Sequence, residues 1–159
     1  MKEPDLISIG ELRKITGKKS KKEEKIQLQV CEYIKNTYPD VIFTCDLASG
    51  MKLPIWMGAL HKRMRSSRGL PDLFIAQSKS IKTGTFNMMG DEFVSDVFNG
   101  LFIEIKRAEV RLKNGSIQKT EHHTEQAEIL YRLSKSGYKA VFGCGFDECK
   151  EIIDEYLKK

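Results

Sequence analysis

Two apolar runs carry charges at their ends. The first is "RGLPDLFIA", residues 68–76, and the second is "GLFIEIKRA", residues 100–108. In a strand, side chains alternate between the two faces, so Phe102, Glu104 and Lys106 point one way while Ile103 and Ile105 point the other. Pro71 lacks an N–H and suits the start of a strand, which puts Asp72 at its lip. If the two runs pair, two carboxylates and one ammonium meet at one place. Carboxylates that close repel unless a cation lies between them, and an oxygen-rich site with water positions left open suits Mg²⁺ or Mn²⁺. Taken singly, each charge has a plainer reading. Glu104 and Lys106 could solvate an edge strand, and Asp after Pro is an ordinary turn residue. Edge protection, however, does not require both flanking segments to be so apolar.

These residues need elements to position them. From Glu23, the residues Ile26, Val30 and Ile34, with Tyr33 beside them, recur at helical spacing as far as Tyr38-Pro39. "DVIFTCDLA" reads as a short strand. Pro54 can then open a helix, "PIWMGALHKRMR", that Ser66-Ser67-Arg68-Gly69 stops. Residues 72–76 and 101–106 suit central strands buried on both faces. The segment between them, 77–100, is longer than a hairpin needs and could hold an extra strand pair or a surface excursion. Thr124 precedes "EQAEILYRLSKSG", a helix in which Ala127, Leu130, Tyr131 and Ser134 share a face, and Gly137 fits the position after its end. "YKAVFGCG" reads as a strand and "DECKEIIDEYLKK" as a closing helix. This order predicts an α/β fold with a mixed central β-sheet flanked by helices. Trp56 is placed in the core of its helix, the alternative being a stacking platform for a nucleobase. His122 and His123 fall in a polar loop as surface residues.

The chain of 159 residues is 40% hydrophobic, enough for one compact domain, and residues 1–22 read as a basic, flexible arm ahead of a 23–159 domain. Lys and Arg outnumber acidic residues 27 to 22, a net charge of +5 that favours a polyanionic partner. No apolar stretch approaches the roughly 18 residues of a membrane span, and "MKEPDLISIG" lacks a signal-peptide core, so a cytoplasmic protein is expected. Cys31, Cys45, Cys144 and Cys149 show no paired ligand spacing and read as reduced packing residues.

"GLPDLFIA…LFIEIK" resembles the PD-(D/E)xK nuclease signature, and "HTEQAEILYRLSKSGYKAVFGCGFDECKEIIDEYL" is similar to the rest of the VRR-NUC family pattern, over about residues 23–159. The departure is the long 77–100 insertion. The resemblance implies a restriction-endonuclease-like core and a metal-dependent DNA endonuclease acting on branched DNA such as Holliday junctions. It implies that Asp72 and Glu104 hold Mg²⁺ or Mn²⁺ with help from the Ile105 carbonyl. Lys106 would orient or deprotonate the attacking water, and Gln126 would hold the lysine or a phosphate oxygen. It also implies an acid on the first helix that binds the metal directly or through water. Counting about 100° per residue, Glu23 shares the face of Ile26, Val30 and Ile34, whereas Glu24 points away. Glu23 also fits a capping box begun by Ser20, which would give it only a structural role. Lys62, Arg63, Arg65 and Arg68 lead into the Pro-Asp turn and could clamp phosphates, with Arg107, Arg111 and Lys113 extending the track. A solvated helix end is the alternative. A restriction-type nuclease and a non-catalytic nucleic-acid-binding module remain as other readings. A homodimer is expected, and Phe86, Met88, Met89, Phe93, Val94 and Phe98 of the insertion would either build its contact or cover the domain's own sheet.

Overall fold

The computed structural model describes residues 21–45, 54–64, 70–84 and 93–158. Its first element is helix α1, Lys21–Thr37, which starts two residues ahead of the expected Glu23. Gln27, Val30 and Ile34 are its buried residues, with Ile26 and Tyr33 half-buried beside them, as the helical spacing predicts for all but the glutamine. Strand β1, Phe43–Cys45, is a shortened form of the expected strand. Helix α2, Ile55–Met64, follows directly on Pro54. Strands β2, Leu73–Ile75, and β5, Leu101–Lys106, are the two apolar runs. Between them, β3, Lys79–Gly84, and β4, Phe93–Phe98, form the extra strand pair in the insertion. Helix α3, Glu121–Lys135, strand β6, Lys139–Cys144, and helix α4, Gly145–Leu157, complete the chain.

The main sheet has the order β1-β2-β5-β6, with β1, β2 and β5 antiparallel in turn and β6 parallel to β5. A parallel neighbour needs a crossover, and α3 supplies it. Leu73, Ile75, Leu101, Ile103 and Ile105 turn to one face, where they pack with Val30 and Ile34 of α1 and Cys149, Ile153 and Tyr156 of α4. The opposite face of the same strands carries Phe74 stacked on Phe102, with ring centroids 4.5 Å apart, and Tyr138 edge-on to Phe102. Gly143 lets β6 approach closely: a Cβ there would lie 2.5 Å from Cys149 Sγ and 2.9 Å from Ile103.

Four expectations are corrected. Helix α3 begins at Glu121 rather than after Thr124, because Thr120 is the residue whose hydroxyl accepts from His123 N–H, at 3.1 Å. His122 and His123 therefore lie in its first turn and not in a loop. Its buried residues are Gln126 and Leu130, while Ala127, Tyr131 and Ser134 are exposed. Trp56 is not core but 67% exposed. Gly137, as expected, takes the left-handed conformation at the helix end, φ +84°, and Tyr138 N–H reaches back to Leu133 C=O. Among the described residues, no helix is long and apolar enough to cross a membrane. None of the four cysteines is in a disulfide among the described residues; burial pushes Cys149 up to about 12, leaving it an inert packing group.

Candidate functional site

The pairing of β2 with β5 sets Leu73 opposite Ile103, so one step further Asp72 comes opposite Glu104. Asp72 has left the strand, and its Oδ2 instead accepts the Ile105 N–H at 3.0 Å, taking the place of a ladder carbonyl. The acid is thereby fixed in position by the backbone of the strand that carries Glu104. Glu104 and Lys106 share the α3 face by alternation, and Lys106 Nζ donates to Glu104 Oε1 at 2.7 Å. Gln126, on the first buried turn of α3, donates its amide N–H to the same oxygen. Asp72, Glu104, Lys106, Gln126 and Ile105 are all buried, and four of the five are polar.

Such a cluster is costly to ionise. Burial first, and then the charge of Asp72, push the Glu104 carboxyl up to about 7, against the opposing pull of Lys106. Glu23 adds to the upward shift, which places its charge within electrostatic range of the cluster. It sits half-buried at the rim, 3.8 Å from Arg107 Nε. Gln126 Oε1 is buried and has no hydrogen-bond partner among the described residues.

The remaining predicted residues are more scattered. Lys62 and Arg63 lie on α2, with Arg63 exposed, whereas Arg65 and Arg68 fall outside the described residues. Arg107 and Lys113 are exposed beyond β5. The Arg111 guanidinium is committed within the fold, bonding Glu148 through two nitrogens and the Gly115 carbonyl at 3.0 Å. Two features escaped the sequence reading. Gln27 is buried one turn after Glu23; a polar residue on an otherwise apolar stripe was the available signal. A cleft of about 250 Å³ opens between α1 and the 3₁₀ turn Ala108–Val110, lined by Lys22, Lys25, Gln29 and Arg107 among others. Its cations come from two distant segments, Lys22 and Lys25 on α1 and Arg107 after β5, that share no motif.

The donor set suits a hydrated divalent cation. It offers two carboxylates and a backbone carbonyl, and an acceptor, Gln126 Oε1, that lacks a donor. Among the described residues no three His, Cys, Asp or Glu side chains cluster as an all-protein cage would need. Mg²⁺ binds through one or two carboxylates and keeps several waters, so this composition fits it.

A comparison with protein-family models gave no match, and no curated protein matches the sequence. Among solved structures, the chain is similar to a VRR_NUC domain protein at 25% identity, over 89% of this chain and 92% of that one, with a TM-score of 0.51. The chain thus has a VRR-NUC-like α/β fold, that of a nuclease-like domain.

Proposed function

We propose that the protein is a Mg²⁺- or Mn²⁺-dependent endodeoxyribonuclease that hydrolyses phosphodiester bonds and prefers branched DNA such as Holliday junctions. The observation that carries this reading is the convergence of Asp72, Glu104, Lys106 and Gln126, from two strands and a helix, on one buried spot. A domain that only bound DNA would gain nothing from a buried carboxylate pair facing phosphates.

Asp72, Glu104 and the Ile105 carbonyl would hold the cation, with Glu23 reaching it from the rim through water. When bound, the ion supplies Lewis-acid polarisation of the phosphate and a lower pKa for the attacking water. Hydrolysis forms a new P–O bond from water and breaks one ester P–O bond. Lys106 would orient that water and offset the charge that grows on the phosphate oxygens. Gln126 fixes the Glu104 carboxylate, so that Lys106 and Glu104 keep one mutual geometry. Lys62, Arg63, Arg65 and Arg68, with Arg107 and Lys113, neutralise the strand on either side. Arg111 we assign to holding the segment after β5 so that Arg107 projects beside the site.

The test incubates the protein with linear duplex, flap, four-way-junction and single-stranded DNA, each in Mg²⁺, Mn²⁺, Ca²⁺ or EDTA. Cleavage is expected in Mg²⁺ and Mn²⁺, binding without turnover in Ca²⁺, and none in EDTA. Cutting that survives EDTA sinks the metal-dependent reading. Binding without cutting in Mg²⁺ favours a non-catalytic module, and fixed-sequence bands favour a restriction-type enzyme.

A further inference from the structure

Helix α2 turns apolar side chains to water. Ile55 is 94% exposed, Trp56 67%, Leu60 46% and Met64 76%. At about 100° per residue, Trp56, Leu60 and Met64 fall within one narrow arc, with Arg63 beside them. The result is a ridge of three large apolar groups flanked by a cation, a surface that soluble domains keep for a partner.

The surrounding charge says which partner. Between Asp46 and Asp72 the sequence has no acidic residue, and it has Lys52, Lys62, Arg63, Arg65 and Arg68. A second copy docked on this face would bring like charges together. A polyanion that also offers flat apolar surfaces matches both halves of the pattern, and a nucleic acid with unstacked bases is such a partner. Connectivity keeps the ridge near the site, since the few residues from Met64 to Asp72 can span at most about 28 Å.

We propose that the Trp56–Leu60–Met64 ridge is a nucleobase wedge. Trp56 stacks on an unpaired base of the DNA bound at the Asp72–Glu104 site, and Leu60 and Met64 prop the neighbouring bases apart. This rests on the nuclease reading above and adds to it how the protein favours junctions, where bases leave the stack at least cost.

Trp56 is the only tryptophan in the chain, so the protein's own fluorescence reports on it. The full chain, held in Ca²⁺ so that it binds without cutting, is titrated with single-stranded DNA, a four-way junction and a linear duplex, while an end label on the DNA reports binding separately. Single-stranded and junction DNA should quench the emission by more than about half in step with binding, and the duplex much less. Trp56→Ala should weaken single-strand binding about tenfold with duplex binding unchanged, and Trp56→Phe should restore most of it. Binding with unchanged emission in the wild-type protein overturns the wedge while leaving the nuclease reading in place. So does emission that shifts with protein concentration alone, which would mark a self-association surface. If no DNA form binds at all, the nuclease reading falls as well.

Discussion

Glu104 Oε1 takes hydrogen bonds from both Lys106 and Gln126, yet burial and the charge of Asp72 still hold its carboxyl near 7. A carboxyl raised this way costs the folded state nothing below its unfolded value, about 4, and progressively more as the pH rises to about 7, above which the cost is complete. Metal-free Glu104→Gln, measured in EDTA at pH 8, should therefore melt no lower than the wild type. Its cleavage in Mg²⁺ should fall at least about a hundredfold, because the amide holds cations poorly. A mutant that melts clearly lower would mean that the carboxylate is a structural group rather than a functional one. Lys106→Ala should lose about as much activity while still binding DNA. Wild-type cutting by that variant would remove the lysine from the mechanism. These three charges were legible in the sequence because a strand's period of two and a proline's missing N–H each have one structural outcome. Gln27 was not, since nothing local distinguishes a buried glutamine from a solvated one.

Helix α1 must be held at a fixed height for Glu23 to stand at the rim, and Asp154 of α4 is the fastening. It is buried, and its Oδ1 accepts from Tyr33 at 2.5 Å and Tyr38 at 2.7 Å, while Lys150 and Lys158 donate to Oδ2. Burial alone would raise its carboxyl, but the two phenols and two ammoniums more than reverse that and hold it well below the usual range. An acid lowered on folding stabilises fully above its unfolded value, about 4, and loses that contribution as the pH falls through it. Asp154→Asn should cost roughly 2–4 kcal/mol at neutral pH. The gap from wild type should narrow steadily as the pH falls below about 4, checked by thermal melts through the acid range. A gap independent of pH would assign the loss to packing. The helices themselves were legible from their apolar spacing, but their ends were not. Thr120 and Thr124 both precede acidic residues, and only the fold decides that Thr124 Oγ1 bonds back to the Thr120 carbonyl inside the first turn. Trp56 misled for a different reason: an apolar helix implies a partner, and in this protein that partner is not the domain's own core.

For the molecule as a whole, the cations ahead of Asp72 predict behaviour across all DNA sequences. Replacing Arg63, Arg65 and Arg68 by Ala should weaken binding uniformly and flatten its salt dependence by about one unit of slope per lost phosphate contact. A changed sequence preference would mean that these arginines read bases. The β3–β4 ribbon sets the larger question of assembly. It forms its own sheet and is anchored at its base, where Lys79 Nζ donates to the Glu155 and Lys158 carbonyls at 2.6 and 2.7 Å and Phe98 packs on the core. Beyond that base Val97 is exposed, while Phe86, Met88 and Met89 lie outside the described residues. One site cuts one strand, so paired incisions across a junction are most simply made by two copies related by a two-fold axis, and the ribbon, with its Phe93, Val94 and exposed Val97, is the segment we assign to joining them. Because Lys79 pairs with Phe98, residues 80–97 can be replaced by Asn-Gly, a two-residue turn that joins this last pair of the ribbon and removes the rest of it. The wild type should scatter light as a dimer and nick four-way junctions symmetrically in preference to linear duplex. The shortened protein should be a folded monomer that still nicks linear DNA but has lost that preference. A wild-type monomer that cuts junction and duplex equally would end the dimer model and leave the site chemistry untouched.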